Sequence, residues 1–145
     1  MARRSRARII AFQVLYQDDL NARVSPSVGE EFVRRRLKAE DLADFARELI
    51  AGVRLNREQL DAAIEQAAEN WSLSRMAATD RNVLRLGAFE ILHSDTPDRV
   101  AIDEAVELAK HFGAALSGPF VNGILDRIKR MKEEKDKDEG GKDEG

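Results

Sequence analysis

Arg3, Arg4, Arg6 and Arg8 fall within the first eight residues, and no acid separates them. Each guanidinium presents a fixed fork of donors matched to phosphate oxygens, and its flat face stacks on bases. Four such groups leading into an amphipathic helix suit the backbone of a nucleic acid. Tyr16, on the same helix, adds a π-face at the far end of this basic strip. The block stands out because the chain as a whole carries a net charge of -3.

Other chemistry finds little support. His93 and His111 lie far apart, and neither has a partner at metal-ligand spacing, so exposed or capping roles suit them. The chain has no cysteine, which excludes disulfides and cysteine-ligated zinc. No glycine-rich phosphate loop precedes a helix, and no Gly-x-Ser-x-Gly elbow occurs. Asp103, Glu104 and Glu107 form an acidic group, but the dipole at a helix start favours anions and accounts for the first two without catalysis. The expectation is a binding protein with no cofactor, no metal and no catalytic residue.

The elements that must position the arginines read as helices throughout. Ala7, Ile10, Ala11, Val14 and Leu15 recur on one face of residues 6–20. Pro26 and Gly29 break the pattern before a short helix around Glu30–Leu37. Asp41 is read as the cap of a third helix with the stripe Leu42, Phe45, Ala46, Leu49 and Val53. Asn56 caps a fourth, carrying Leu60, Ile64, Ala67 and Ala68. Val83, Leu84, Ala88, Ile91 and Leu92 form the inner face of the next helix, which ends before Pro97. Ile102, Ala105, Val106, Ala109 and Phe112 follow, with Gly113 as a stop. Phe120, Val121, Ile124, Leu125 and Ile128 line the last helix, with Pro119 in its first turn.

These spacings predict an all-α fold of about seven helices, with residues 1–131 as one domain that includes a basic arm at 1–8. Residues 132–145 hold four lysines and seven acids with no apolar side chain, the composition of a disordered tail. No run reaches the roughly 18 apolar residues of a membrane span, and no signal-peptide pattern follows the basic start. A soluble cytoplasmic protein is expected.

The segments "RIIAFQVLY", "GVRLNREQLD", "DRNVLRLGAFEI", "VAIDEAVELAKHFG" and "FVNGILD" occur in this order. Together they resemble the NusB family of bacterial transcription antitermination factors up to about Lys132. That resemblance implies a compact seven-helix domain of two helical subdomains. It implies binding to boxA-type single-stranded leader RNA together with NusE, a ribosomal small-subunit protein, within the RNA polymerase antitermination complex that reads through ribosomal RNA operons. Some members of the family also form homodimers.

By resemblance, Arg3, Arg4, Arg6 and Arg8 contact RNA, and Tyr16 and Phe120 are the base-stacking aromatics. Both aromatics have a competing reading as side chains at the margin of the core. Four neutralised phosphates on a single strand give a log–log salt slope of about -3, about fifty-fold in affinity between 50 and 200 mM salt. So small an electrostatic grip on an acidic protein calls for a partner, and Asp80 and Arg81 are the expected NusE contacts. Gly118 and Pro119 stand where the family often has polar or basic side chains, which weakens this loop as an RNA contact. Asn122 and Gly123 are read as structural, the glycine through close helix approach. Arg85 is expected to pair with a helix carboxylate and Trp71 to pack in or beside the core. Two other readings are a helical interaction module without an RNA role and the RNA-binding domain related to that of ribosomal RNA cytosine methyltransferases.

Overall fold

The computed structural model describes residues 3–69 and 71–143. Residues 1, 2, 144 and 145, at the outer ends of the expected arm and tail, lie outside the described residues. Seven α-helices follow in order: α1 (Arg3–Leu20), α2 (Pro26–Arg36), α3 (Glu40–Leu55), α4 (Arg57–Ala67), α5 (Ala78–His93), α6 (Asp98–Phe112) and α7 (Ser117–Asp143). A single 310 turn, Leu73–Arg75, leads into α5, and no strand occurs among the described residues.

Local chemistry sets these boundaries. The Ser25 hydroxyl accepts a hydrogen bond from the Ser27 amide, and Pro26 opens α2 where its missing N–H costs nothing. Asp41 does not cap α3. The cap position is Ala39, and Asp41 lies inside the first turn, where its charge suits the helix dipole. Asn56 donates its side-chain amide to the Gly52 carbonyl, closing α3 as its backbone opens α4.

Helix α5 is buried almost all round, from Asn82 through Ala88 and again at Glu90 and Ile91. A helix with so wide a buried face belongs at the centre of a fold. It packs against α1, α3, α4, α6 and α7. Fully buried Leu49, Leu60, Ile64, Leu84, Leu86, Ile102 and Leu125 fill the space between these helices. Glycine permits two of the closest approaches. A Cβ at Gly52 would stand 2.1 Å from the Phe89 ring, and one at Gly87 would stand 2.6 Å from Leu125 Cδ1.

Three expectations need correction. Gly123 is not a close-approach glycine, since a Cβ there would meet nothing within 4 Å, and Asn122 beside it is exposed. Residues 3–8 are not an arm but the first turns of α1. The charged tail continues α7 as far as Asp143. Glutamate and lysine are good helix formers, and i,i+4 pairs such as Lys129–Glu133 at 3.7 Å help to extend the helix. Lys132 belongs to the folded body, because its Nζ donates to the Ile91 carbonyl at 3.1 Å and to Asp98 at 2.8 Å.

Candidate nucleic-acid interface

Helical geometry sorts the four arginines. Arg8 shares a stripe with Ala11, Phe12 and Leu15 at i+3, i+4 and i+7, all of them buried, so it points into the core. Only 3% of it is exposed. Its Nε and Nη2 donate to the two carboxylate oxygens of Glu90, each at 2.8 Å, and Glu104 lies 3.7 Å away. The Thr96 hydroxyl donates to Glu90 Oε2 at 2.8 Å. Burial alone would lower the Arg8 pKa, but the hydrogen bonds and charge of Glu90, with the charge of Glu104, raise it overall. Arg8 therefore holds α1 to α5 and is unavailable to phosphate, contrary to its expected role.

Arg3, Arg4 and Arg6 are exposed, Arg3 and Arg6 on the far side of the helix from Arg8 and Arg4 one turn before it on the same face. Arg3 makes a long contact to Asp41 at 3.3 Å, with both side chains about two-thirds exposed, a pair that water screens heavily. The Arg4 guanidinium lies 4.5 Å from the centroid of Phe45. Arg6 donates to the Arg36 carbonyl at 3.4 Å. Neither Arg4 nor Arg6 forms an ion pair among the described residues.

The Arg6 contact reveals a cationic segment that sequence reasoning passed over. Arg34, Arg35 and Arg36 form the last turn of α2, and Lys38 follows. The run "VRRRLK" is legible, but its placement beside the start of α1 is a tertiary fact. From here a groove of about 660 Å3 runs between α1 and α2, with Tyr16, Phe32, Phe112 and Arg36 among its walls. Tyr16 stacks obliquely on Phe12 at 5.9 Å, and Phe12 on Phe112 at 5.0 Å. Tyr16 thus belongs to an aromatic row that continues the basic surface.

Phe120 is placed elsewhere. It is half-buried at the start of α7 and meets Trp71 edge-on at 5.9 Å. Trp71 is 53% exposed and is not a core residue. The two form a second aromatic surface.

The two expected partner contacts also separate. Arg81 donates to Asp19 at 2.6 Å and to the carbonyls of Leu73 and Met76 at 3.2 and 3.3 Å. Its Nε and Nη1 are engaged internally and its side chain is only 18% exposed, so its main contacts are within the fold. Asp19 also accepts from Asn82 at 2.9 Å and lies 3.3 Å from Arg57 and 3.5 Å from Arg85. Burial would raise the Asp19 pKa, yet the bonds from Arg81 and Asn82 and the charges of Arg81 and Arg85 hold it below the usual carboxylate value. Arg85 pairs with Asp61 at 2.7 and 3.1 Å, the helix carboxylate it was expected to find. Asp80 keeps a buried Oδ1 with no hydrogen-bond partner in the first turn of α5.

Among the described residues, no group of three or more His, Cys, Asp or Glu could hold a metal ion, and no helix is long and apolar enough to cross a membrane. Comparison with known proteins gives one consistent family. The NusB family model matches residues 5–130. The transcription antitermination protein NusB of Anaeromyxobacter dehalogenans (strain 2CP-1 / ATCC BAA-258) is 45% identical over 128 residues, covering 88% of this chain and 90% of that protein. The solved structure of T. maritima NusB is 39% identical, with a TM-score of 0.79 over 90% of this chain and 92% of that one. A crystal structure of antitermination factors NusB and NusE in complex with dsRNA is 32% identical, with a TM-score of 0.80 over 90% and 98% of the two chains. With a family model spanning most of the sequence and the same fold in solved relatives, this chain belongs to the NusB family.

Proposed function

We propose that this chain is a transcription antitermination factor. It binds boxA-type single-stranded leader RNA together with ribosomal protein NusE, and so helps RNA polymerase read through ribosomal RNA operons. The observation that carries this reading is its likeness, over 90% of its length, to a NusB solved with NusE and dsRNA. A cytoplasmic location goes with that role. No step in it is chemical: the protein binds and positions.

The surface described above supplies the means. Arg3, Arg4 and Arg6 contact phosphates, Tyr16 offers a stacking face on the adjoining surface, and Phe120 offers one on its separate surface with Trp71. Asp80, half-buried in the first turn of α5, contributes to the NusE contact. Each phosphate neutralised on a single strand contributes about -0.7 to the log–log salt slope, so three contacts give about -2, about twenty-fold between 50 and 200 mM salt. A grip of that size on a chain of net charge -3 needs a second protein to bind tightly.

Fluorescence anisotropy with boxA RNA, a scrambled strand and a duplex of the same sequence, each with and without NusE, tests the proposal. The expected result is preference for single-stranded boxA, strengthened by NusE. Indistinguishable curves for boxA and scrambled RNA in every mixture would leave a helical interaction module as the better account.

A further inference from the structure

The cations at the end of α2 have no role in the contacts above, yet they border the large groove of the molecule. Arg35 and Arg36 both line it, and neither has a carboxylate within ion-pair distance among the described residues. The Arg36 guanidinium lies 5.1 Å from the centroid of Phe32, so it stands over an aromatic wall. The dipole at the end of α2 stabilises cations there, but it does not require that they remain unpaired. The carboxylate on the groove wall, Asp18, is neutralised by Arg54 at 2.7 and 2.9 Å. Gln13, Gln17 and Thr79 add neutral polar groups. Aromatic faces with a cationic rim and no free acid are complementary to a nucleotide, whose base is flat and apolar and whose phosphate is anionic. The volume falls in the range of about 300–1,000 Å3 occupied by small-molecule-sized ligands.

We propose that the α1–α2 groove takes an unpaired nucleotide of the bound RNA, its base against Tyr16 and Phe112 and its flanking phosphates on Arg35 and Arg36. This deepens the RNA reading given above and rests on it. The strand would pass from Arg3, Arg4 and Arg6 across the Arg6–Arg36 contact into the groove. Phosphate contacts do not read sequence, so the groove serves any single strand that reaches it.

The test measures affinity against salt for the full chain and for Arg35→Gln/Arg36→Gln. The probes are boxA RNA and a scrambled strand of equal length, each carrying 2-aminopurine. Loss of two phosphate contacts makes the slope shallower by about 1.4 on both strands, about seven-fold less change between 50 and 200 mM salt. Arg35→Lys/Arg36→Lys retains the slope, and Tyr16→Leu reduces the quenching of 2-aminopurine by stacking. An unchanged slope in the glutamine variant overturns the groove as an RNA site, also if that variant binds NusE more weakly, which would assign the groove to protein. Equal affinity of the parent chain for boxA and scrambled RNA overturns the boxA reading instead, and the slope difference still decides the groove.

Discussion

Replacing Arg8 with alanine separates the two roles open to an arginine in a basic block, phosphate contact and core ion pair. The side chains of Arg8 and Glu90 are 4% and 2% exposed, and two 2.8 Å hydrogen bonds join them. Removing the guanidinium leaves a buried carboxylate with only the Thr96 hydroxyl as its side-chain donor, and empties space beside Phe45. Breaking a buried pair from one side costs about 3–5 kcal/mol. That is a large share of the roughly 5–15 kcal/mol by which a domain is stable. For a domain near this size it lowers Tm by about 10–15 °C. Urea unfolding followed by helical CD measures the loss, and RNA affinity is read well below the variant's Tm. Arg8→Met with Glu90→Leu, which removes both charges, recovers much of the stability. An Arg8→Ala chain of parental stability that loses RNA affinity would refute the structural assignment and return Arg8 to the phosphates.

Other perturbations follow from the same contacts. Asp19→Asn weakens the bonds from Arg81 and Asn82 and costs about 2–3 kcal/mol at neutral pH. Because folding depresses the Asp19 pKa, its contribution is present above about pH 4 and is lost as the pH falls through the lower folded value. The difference between parent and Asp19→Asn therefore shrinks in urea titrations at pH 3 relative to pH 7, and a constant difference would contradict the assignment. Gly52→Ala destabilises by about 1–3 kcal/mol or more, since its Cβ would collide with Phe89. Gly123→Ala faces open space in a helix and stabilises by about 0.5–1 kcal/mol, so equal effects at the two glycines would count against the packing described.

What could be read in advance divides along a physical line. Apolar spacing specifies which face each helix buries, and Ala7, Ile10, Ala11, Val14 and Leu15 are all buried as their spacing requires. Charge composition does not specify where a charge goes. Arg8 is counted with the cationic block, yet its i+3, i+4 and i+7 neighbours are core residues, and that period is the signal for burial. Its partner Glu90 is 82 residues away, beyond the reach of any local pattern. Arg81 is likewise claimed by Asp19 across 62 residues. The juxtaposition of Arg6 with Arg36 depends on how α1 and α2 pack, so the second arginine cluster acquires meaning only in the fold. The helix at 132–143 reflects local propensity, which a composition rule for disorder overlooks.

The central claim is that exposed guanidiniums at the start of α1 hold RNA by its phosphates. Its most direct test is the salt dependence of boxA RNA binding for the parent chain and for Arg3→Ala/Arg4→Ala/Arg6→Ala, with helical CD unchanged. The log–log slope should become shallower by about 2 in the triple variant. An unchanged slope would contradict the claim and place the RNA elsewhere on the molecule.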